Sequence, residues 1–313
     1  MRFGIQHSVG DPAWTPAILH PDAVTSFART AESVGFDAIG FTDHPAPSAA
    51  WVEAGGEGVA DPFTGLAFCA AVTSRIRLLT FVLVAAYRNP LATAHQLATL
   101  DRLSAGRLTV GLGTGYLFSE FGALGADPAQ RRDALDENVT LMRQAWAGET
   151  ITHRNAQFNA RGNKVLPPVV QEPHPPLWIH GNSRFGVERA ARYGDGWIGM
   201  MTHDNHVIAR TTRTAPLRDL DSLARRIDTV RASAQAHGRD PDSLEIAVAG
   251  AWPMLDIRTR RPADAYLEEI AQLEKLGVDW ALSLGCGDDP VIAQETVAQF
   301  GEEVVAHSSH PSR

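Results

Sequence analysis

The sequence predicts a (β/α)8 TIM barrel with loop insertions, on three observations. Eight strand-like runs are each followed by a helix-like segment, an order typical of a parallel sheet covered by helices. Runs such as Arg75–Val84 do not alternate apolar with polar residues, which is typical of strands buried on both faces. No shift in composition divides the 313 residues, so one barrel is favoured over a doubly wound sheet with a second domain. We expect a single domain over residues 1–306 and a polar tail over residues 307–313.

Apolar runs bounded by glycine, proline or polar turns define the strands. They are Arg2–Gln6, Asp37–Thr42, Arg75–Val84, Arg107–Leu112, Leu177–His180, Gly196–Met200, Leu244–Ala249 and Val278–Leu284. Apolar residues at three- and four-residue spacing define the helices. They are Pro21–Gly35, Pro62–Thr73, Leu91–Leu103, Leu135–Trp146, Ser183–Tyr193, Leu217–His237, Ala263–Leu276 and Pro290–Val305. The segment Glu149–Pro176, rich in Asn, Pro and Gln, is predicted to be an irregular excursion over the surface.

Composition excludes several classes of protein. The formal charge of −8 argues against a partner with a phosphate backbone or an anionic membrane surface. The longest apolar run, Leu78–Tyr87, is far shorter than the roughly 20 residues that span a membrane, and Met1–Gln6 lacks the pattern of a signal peptide. Cys69 and Cys286 lie far apart and show no metal-binding spacing. We therefore expect a soluble, cytoplasmic protein with free buried thiols.

In a barrel of this kind the chemistry gathers where the strands end. Asp43 and His44 directly follow the second predicted strand. A carboxylate beside an imidazole at a strand end can orient a substrate and move a proton near neutral pH. The same dipeptide equally suits an aspartate that caps a turn and an ordinary loop histidine.

Glycines follow the fourth strand, in the run Gly111–Tyr116. Tyr116 stands where the dinucleotide-binding fingerprint needs its last glycine, and no helix is predicted to begin there. Glycines up to Gly115 would let the backbone approach a flat or anionic ligand closely. Taken alone, the run is better explained as a bulged strand end.

The fifth predicted strand leads into a helix through Gly181, Asn182, Ser183 and Arg184. The free N–H groups at the positive end of that helix, with the Arg184 cation beside them, would make a seat for a phosphate. Ordinary N-capping by Asn182 or Ser183 is the alternative. No metal site is predicted, because the spaced pair of His203 and His206 has no third ligand nearby.

A set of motifs occurs in a fixed order along most of the chain. They are Gly35–Asp37 leading to Asp43–His44, Tyr87–Leu91, Leu100–Arg107, Pro175–Ile179 and Gly194–Trp197. In this order they resemble the bacterial luciferase-like monooxygenase superfamily, and specifically its coenzyme F420-dependent oxidoreductases. The resemblance extends from Met1 to about Trp197 and returns weakly over Gly277–Val304.

The resemblance implies a barrel that binds a flavin or deazaflavin at its mouth. It places a cis peptide in a bulged third strand, at Phe81–Val82, and puts Asp43 and His44 beside the reactive end of the ring, where His44 handles a proton. It also assigns phosphate contacts to Thr114 and to the start of the helix after the fifth strand. The predicted cofactor contacts are thus Asp43, Phe81, Val82, Thr114, Gly115, Gly181, Asn182, Ser183 and Arg184.

Three functions remain open at this point. The first is an F420-dependent oxidoreductase that moves a hydride to or from a small organic substrate. The second is an FMN-dependent monooxygenase that uses oxygen and a flavin reduced by a separate flavin reductase. The third is a flavin-binding barrel without catalysis. Basic surface at Arg88 or Arg184, suited to the polyglutamate tail of F420, would favour the first.

Features outside the cofactor site bear on substrate and assembly. Tyr116 replaces a glutamate that related sugar-phosphate dehydrogenases carry, and their phosphate-binding lysines are absent, so a phosphorylated sugar is disfavoured. The loop 46–60, with Trp51, is expected near the mouth as a lid. Residues 200–216 and those after Trp252 also determine specificity. By resemblance we predict a homodimer through the helices that follow strands four and one.

Overall fold

A computed structural model describes residues 1–7, 16–202, 215–259, 261–285 and 289–308. Eight parallel strands close into a barrel, in which the last strand pairs with the first. They are β1 Arg2–Gln6, β2 Ala38–Phe41, β3 Arg77–Val84, β4 Leu108–Gly113, β7 Leu177–His180, β8 Gly196–Met200, β9 Glu245–Ala249 and β10 Trp280–Leu284. The predicted (β/α)8 barrel is confirmed.

Helices surround this barrel. In the described part of the chain they are α1 Pro21–Ser33, α2 Ala49–Glu53, α3 Pro62–Val72, α4 Pro90–Leu103, α5 Phe118–Ala123, α6 Arg131–Trp146, α7 Arg184–Tyr193, α8 Leu220–Ala236, α9 Ala263–Lys275 and α10 Pro290–Glu303. Several begin with a polar cap and a proline: Asp61, Asn89 and Asp289 each accept hydrogen bonds from the first turn of the helix that follows. These are the signals that made the helix starts predictable.

Side chains of the strands pack into the barrel interior on one face and against the surrounding helices on the other. Phe81, Trp178, Ile198 and Trp280 belong to one buried cluster inside the barrel. The alternate residues of the same strands belong to a larger cluster beneath the helices. Because the interior is packed, a ligand has room only where the strands end.

The structure corrects two expectations. The excursion contains an antiparallel pair, β5 Ile151–Arg154 and β6 Asn159–Asn163, and is therefore not wholly irregular. The short helix α5 begins soon after the glycine-rich run, where no helix was predicted. Neither α1 nor α6, the two helices predicted for a dimer contact, has a side chain among the exposed large hydrophobic residues, whereas the intervening α5 leaves Phe118 50% exposed.

Some sequence-based expectations fall outside the described residues, namely those on Cys286, His203 and His206. Cys69 is a buried free thiol, as predicted. Among the described residues, no helix is both long and apolar enough to cross a membrane.

Candidate active site at the barrel mouth

The end of β3 forms one wall of the mouth. The pairing of β3 with β4 shifts register between Thr80 and Leu83, and the Phe81–Val82 peptide bond within this bulge is cis. The bond is the one that the resemblance predicted. Phe81 points into the barrel interior, while Val82 is half-buried and packs against the same cluster. A Cβ atom on Gly113 would lie 2.9 Å from a methyl carbon of Val82, so glycine lets β4 approach the bulge.

Gly111 of β4, and Gly115 just after the strand, are also required by packing. A Cβ on Gly111 would lie 2.2 Å from the carbonyl oxygen of Thr80. Gly115 has φ +73°, and a Cβ there would lie 2.8 Å from the Phe121 ring. The strand-end explanation therefore accounts for both glycines without a ligand. Thr114 lies half-buried between Gly113 and Gly115.

Asp43 joins the ends of two strands. Its buried carboxylate accepts hydrogen bonds from the Val84 N–H at 2.9 Å and from the Arg88 guanidinium, at 2.5 Å to one oxygen and 3.2 Å to the other. Burial raises the pKa of Asp43, and the Arg88 charge opposes that rise. Since Arg88 is bound to Asp43, its predicted role at a polyglutamate tail is not supported. Asp43 thus fastens the neighbouring residue, His44, at the mouth.

A chain of three side chains crosses the mouth. The Nδ1 atom of His44 lies 3.2 Å from a carboxylate oxygen of Glu120, and its Nε2 lies 3.2 Å from the Tyr116 hydroxyl. Glu120 is 2% exposed, and its other oxygen accepts a hydrogen bond from the Ala46 N–H at 3.2 Å. Asp43 and His44 were predicted side by side at the reactive end of the ring, but the Asp43 carboxylate turns toward β3 and the carboxylate that contacts His44 is that of Glu120.

The proton positions in this chain follow from its partners. A carboxylate at Nδ1 favours the tautomer of His44 that carries its proton on Nδ1, which leaves Nε2 to accept a hydrogen bond. Burial raises the pKa of Tyr116, and the charges of Glu57 and Glu120 raise it further. The Tyr116 phenol is therefore protonated at neutral pH and donates to His44.

The loop 46–60 covers this chain from outside. Within it, α2 places the Trp51 ring 5.1 Å from the His44 ring, and Gly56 packs against the Trp51 indole so closely that a Cβ would lie 2.2 Å away. Glu57 follows Gly56 and acts electrostatically on both His44 and Tyr116. Burial raises the pKa of Glu57, and His44 opposes that rise. The loop had been predicted as a lid, but no sequence signal singled out Glu57.

The start of α7 follows β7, which lies two strands from β3 along the barrel wall. Ser183 caps this helix by accepting a hydrogen bond from the Gly186 N–H at 3.3 Å. The Asn182 side chain is fully buried and binds the backbone of Met200 through both its amide nitrogen, at 2.7 Å, and its oxygen, at 2.9 Å. Because the Asn182 side chain is used inside the protein, only the Asn182 backbone is available for the predicted contact with a ligand. The other N–H groups at the start of α7 have no acceptor within the helix. The exposed Arg184 side chain is on the first residue of α7.

Comparisons with known proteins agree with this architecture. Residues 1–274 match the model of the luciferase-like monooxygenase family, and the chain belongs to that family.

One relative is the F420-dependent hydroxymycolic acid dehydrogenase of Mycobacterium tuberculosis, which is 31% identical over 226 residues. The match covers 71% of this chain but 56% of the relative, so the chain spans little more than half the length of that enzyme.

Two solved structures share the fold over 98% of this chain. Monooxygenase RslO1 from Streptomyces bottropensis superposes with a TM-score of 0.79 at 24% identity, with 99% of its chain covered. An F420-dependent secondary alcohol dehydrogenase, in complex with an F420-acetone adduct, superposes with a TM-score of 0.72 at 19% identity and is also covered over 99%. At these identities the likeness concerns the fold alone.

The residues at the mouth fit a phosphate-bearing flavin or deazaflavin. The positive end of α7 and Arg184 suit its phosphate. The bulge at Phe81–Val82 offers an apolar wall for a flat ring. Just before the start of α7, the buried Nε2 of His180 has no hydrogen-bond partner among the described residues. A polar atom of a bound ligand could supply the hydrogen bond that this nitrogen lacks.

The pair of Asp43 and Arg88 generates a prediction on stability. We expect Arg88→Gln to lower the free energy of unfolding by about 3 kcal/mol, because it leaves the buried Asp43 carboxylate without its cation. The same substitution in the more exposed pair Arg261–Glu269, Arg261→Gln, is expected to cost less than about 1 kcal/mol. Urea denaturation of both variants checks this, and equal losses would contradict the role given to Asp43.

Proposed function

We propose that this protein is an F420-dependent oxidoreductase that moves a hydride between the deazaflavin and a small alcohol or ketone. The observation that carries the proposal is the chain Tyr116–His44–Glu120, because it provides a proton acceptor held at the mouth by two residues that follow β4. The F420-dependent relative with 31% identity supports the choice of cofactor and of substrate class.

The cofactor would be held by both sides of the mouth. The backbone of Gly181, Asn182 and Ser183, together with Thr114 and Gly115, would receive the phosphate, and Phe81–Val82 would support the ring. Exposed Arg184 has no ion pair among the described residues and is the cation available to the polyglutamate tail. When bound, the deazaflavin supplies the hydride acceptor or donor.

His44 would handle the proton of the reaction. In alcohol oxidation, its Nε2 lone pair accepts the proton of the substrate hydroxyl, directly or through the Tyr116 hydroxyl that lies 3.2 Å away. Glu120 at Nδ1 then stabilises the imidazolium. In ketone reduction, the same nitrogen returns the proton to the substrate oxygen. Asp43 would act as a positioning residue in both directions.

The proposal includes a homodimer and a cytoplasmic location. Exposed Phe118 and Leu124, at and just after α5, support a contact on that side of the barrel. The same phosphate seat and ring wall also suit FMN, and an FMN enzyme of this family would need a partner flavin reductase. The test is therefore run with both cofactors.

Parallel titrations of the purified protein with F420 and with FMN, followed by ring fluorescence, test the cofactor assignment. We expect F420 to bind at least tenfold more tightly than FMN, because Arg184 and the α7 terminus can meet its additional negative charges. Preference for FMN would overturn the assignment and favour an oxygen-using monooxygenase. Binding of neither cofactor would overturn both.

His44 and Tyr116 generate the prediction on turnover. With the cofactor bound, His44→Ala should lower kcat by about 10²–10⁴-fold, because the proton loses its acceptor. Tyr116→Phe should lower it by roughly tenfold, since one hydrogen bond to His44 is removed. Cofactor affinity should stay nearly unchanged in both variants. The matched control is His95→Ala. His95 is exposed on α4, and its Nδ1 contacts the carbonyl oxygen of Leu166, away from the mouth. Unchanged kcat in His44→Ala would remove His44 from the mechanism.

A further inference from the structure

His180 is the last residue of β7 and points into the barrel. Side chains on a strand alternate between its two faces, and Trp178, two residues earlier, lies in the interior cluster with Ile198 and Trp280. His180 pairs with Ile198 of β8 in the register of the barrel. Its imidazole therefore belongs to the top interior layer, which faces the mouth.

The imidazole of His180 has a buried nitrogen without a partner. The Nε2 atom is shielded from solvent, and no described residue lies within hydrogen-bond distance of it. An unpaired buried donor or acceptor costs free energy that a ligand atom can recover. Burial also lowers the pKa of His180 to about 4. At neutral pH the ring is uncharged and offers one N–H donor and one lone pair.

The backbone after His180 is held in place by other side chains. The Trp197 indole N–H donates to the Gly181 carbonyl at 3.0 Å. Asn182 binds the backbone of Met200 on the neighbouring strand, with both ends of its amide. His180 itself takes no part in these bonds. Its nitrogen is therefore not needed for the fold of this junction.

His180 lies directly before one cofactor-binding feature and two strands from the other. The residue after it, Gly181, begins the phosphate seat of α7. The bulge of β3 lies two strands away along the barrel wall, beyond β4, and its Phe81 belongs to the same interior cluster as Trp178. A molecule that has its phosphate at α7 and its flat ring against the bulge would extend from the end of β7 over the interior layer to which His180 belongs. The part of such a molecule that needs a neutral hydrogen-bonding partner is the polar edge of its ring system, which carries carbonyl and N–H groups.

We propose that the Nε2 atom of His180 hydrogen-bonds the polar ring edge of the bound flavin or deazaflavin. The proposal rests on the proposed function, because it requires a cofactor of this class at the mouth. It adds a contact that none of the predicted cofactor residues supplies. His180 thereby contributes to cofactor affinity and to the electronic environment of the ring.

The test compares substitutions at two histidines. His180→Phe keeps a flat ring without nitrogen, while His180→Gln places an amide nitrogen near the position of Nε2. His174→Phe is the matched control, because His174 also has a buried Nε2 without a described partner but precedes β7, at the closed end of the barrel. Each protein is titrated with F420 and with FMN, and both the dissociation constant and the visible absorption band of the bound ring are recorded.

We expect His180→Phe to weaken binding of the preferred cofactor by about tenfold or more and to shift its absorption band. His180→Gln and His174→Phe should bind within about twofold of the unsubstituted protein, with the band unmoved in His174→Phe. Equal affinity and an identical spectrum for His180→Phe would overturn the inference alone. If the unsubstituted protein bound neither cofactor, the inference and the proposed function would both be wrong.

A second measurement applies if His180→Phe does not fold. The ring nitrogens of His180 in the unsubstituted protein are followed by ¹⁵N NMR during addition of the cofactor. A change in the Nε2 signal at saturation supports the contact. An unchanged Nε2 signal at saturation overturns it.

Discussion

The buried carboxylate of Asp43 is the interaction on which the mouth of the barrel depends. It binds the Val84 N–H and the Arg88 guanidinium, and so ties the end of β2 to the end of β3 and to the approach to α4. A carboxylate taken out of water is costly unless its oxygens are paired, and here both are. Because Asp43 turns toward β3, the adjacent His44 turns toward α5 and meets Glu120.

The acidic groups around His44 suit it to receive a proton. Glu120 bonds Nδ1 from below, and Glu57 acts on the imidazole from the loop above. The same two carboxyl groups raise the pKa of Tyr116 and keep its phenol protonated. Negative charge near the Tyr116 ring therefore disfavours a phenolate. Trp51 covers His44 and limits its contact with water.

The sequence predicted the barrel and part of the site, and the limits have physical causes. Strands buried on both faces and capped helices are local signals, and Asp43 and His44 were found because they directly follow a strand. Glu120 was missed, since α5 is too short to show periodicity and its partner His44 lies 76 residues earlier. The sequence motif around Asn182 could not show that the Asn182 side chain binds the backbone of Met200 inside the protein.

The tautomer of His44 tests the central claim most directly. A ¹H–¹⁵N correlation of the histidine ring nitrogens, with the His44 signals identified by their loss in His44→Ala, reports which nitrogen carries the proton. The arrangement of Glu120 and Tyr116 predicts a protonated Nδ1 and an unprotonated Nε2 at neutral pH, with this preference lost in Glu120→Gln. A proton on Nε2 in the unsubstituted protein would contradict the account, because His44 would then have no lone pair at the mouth to accept a proton.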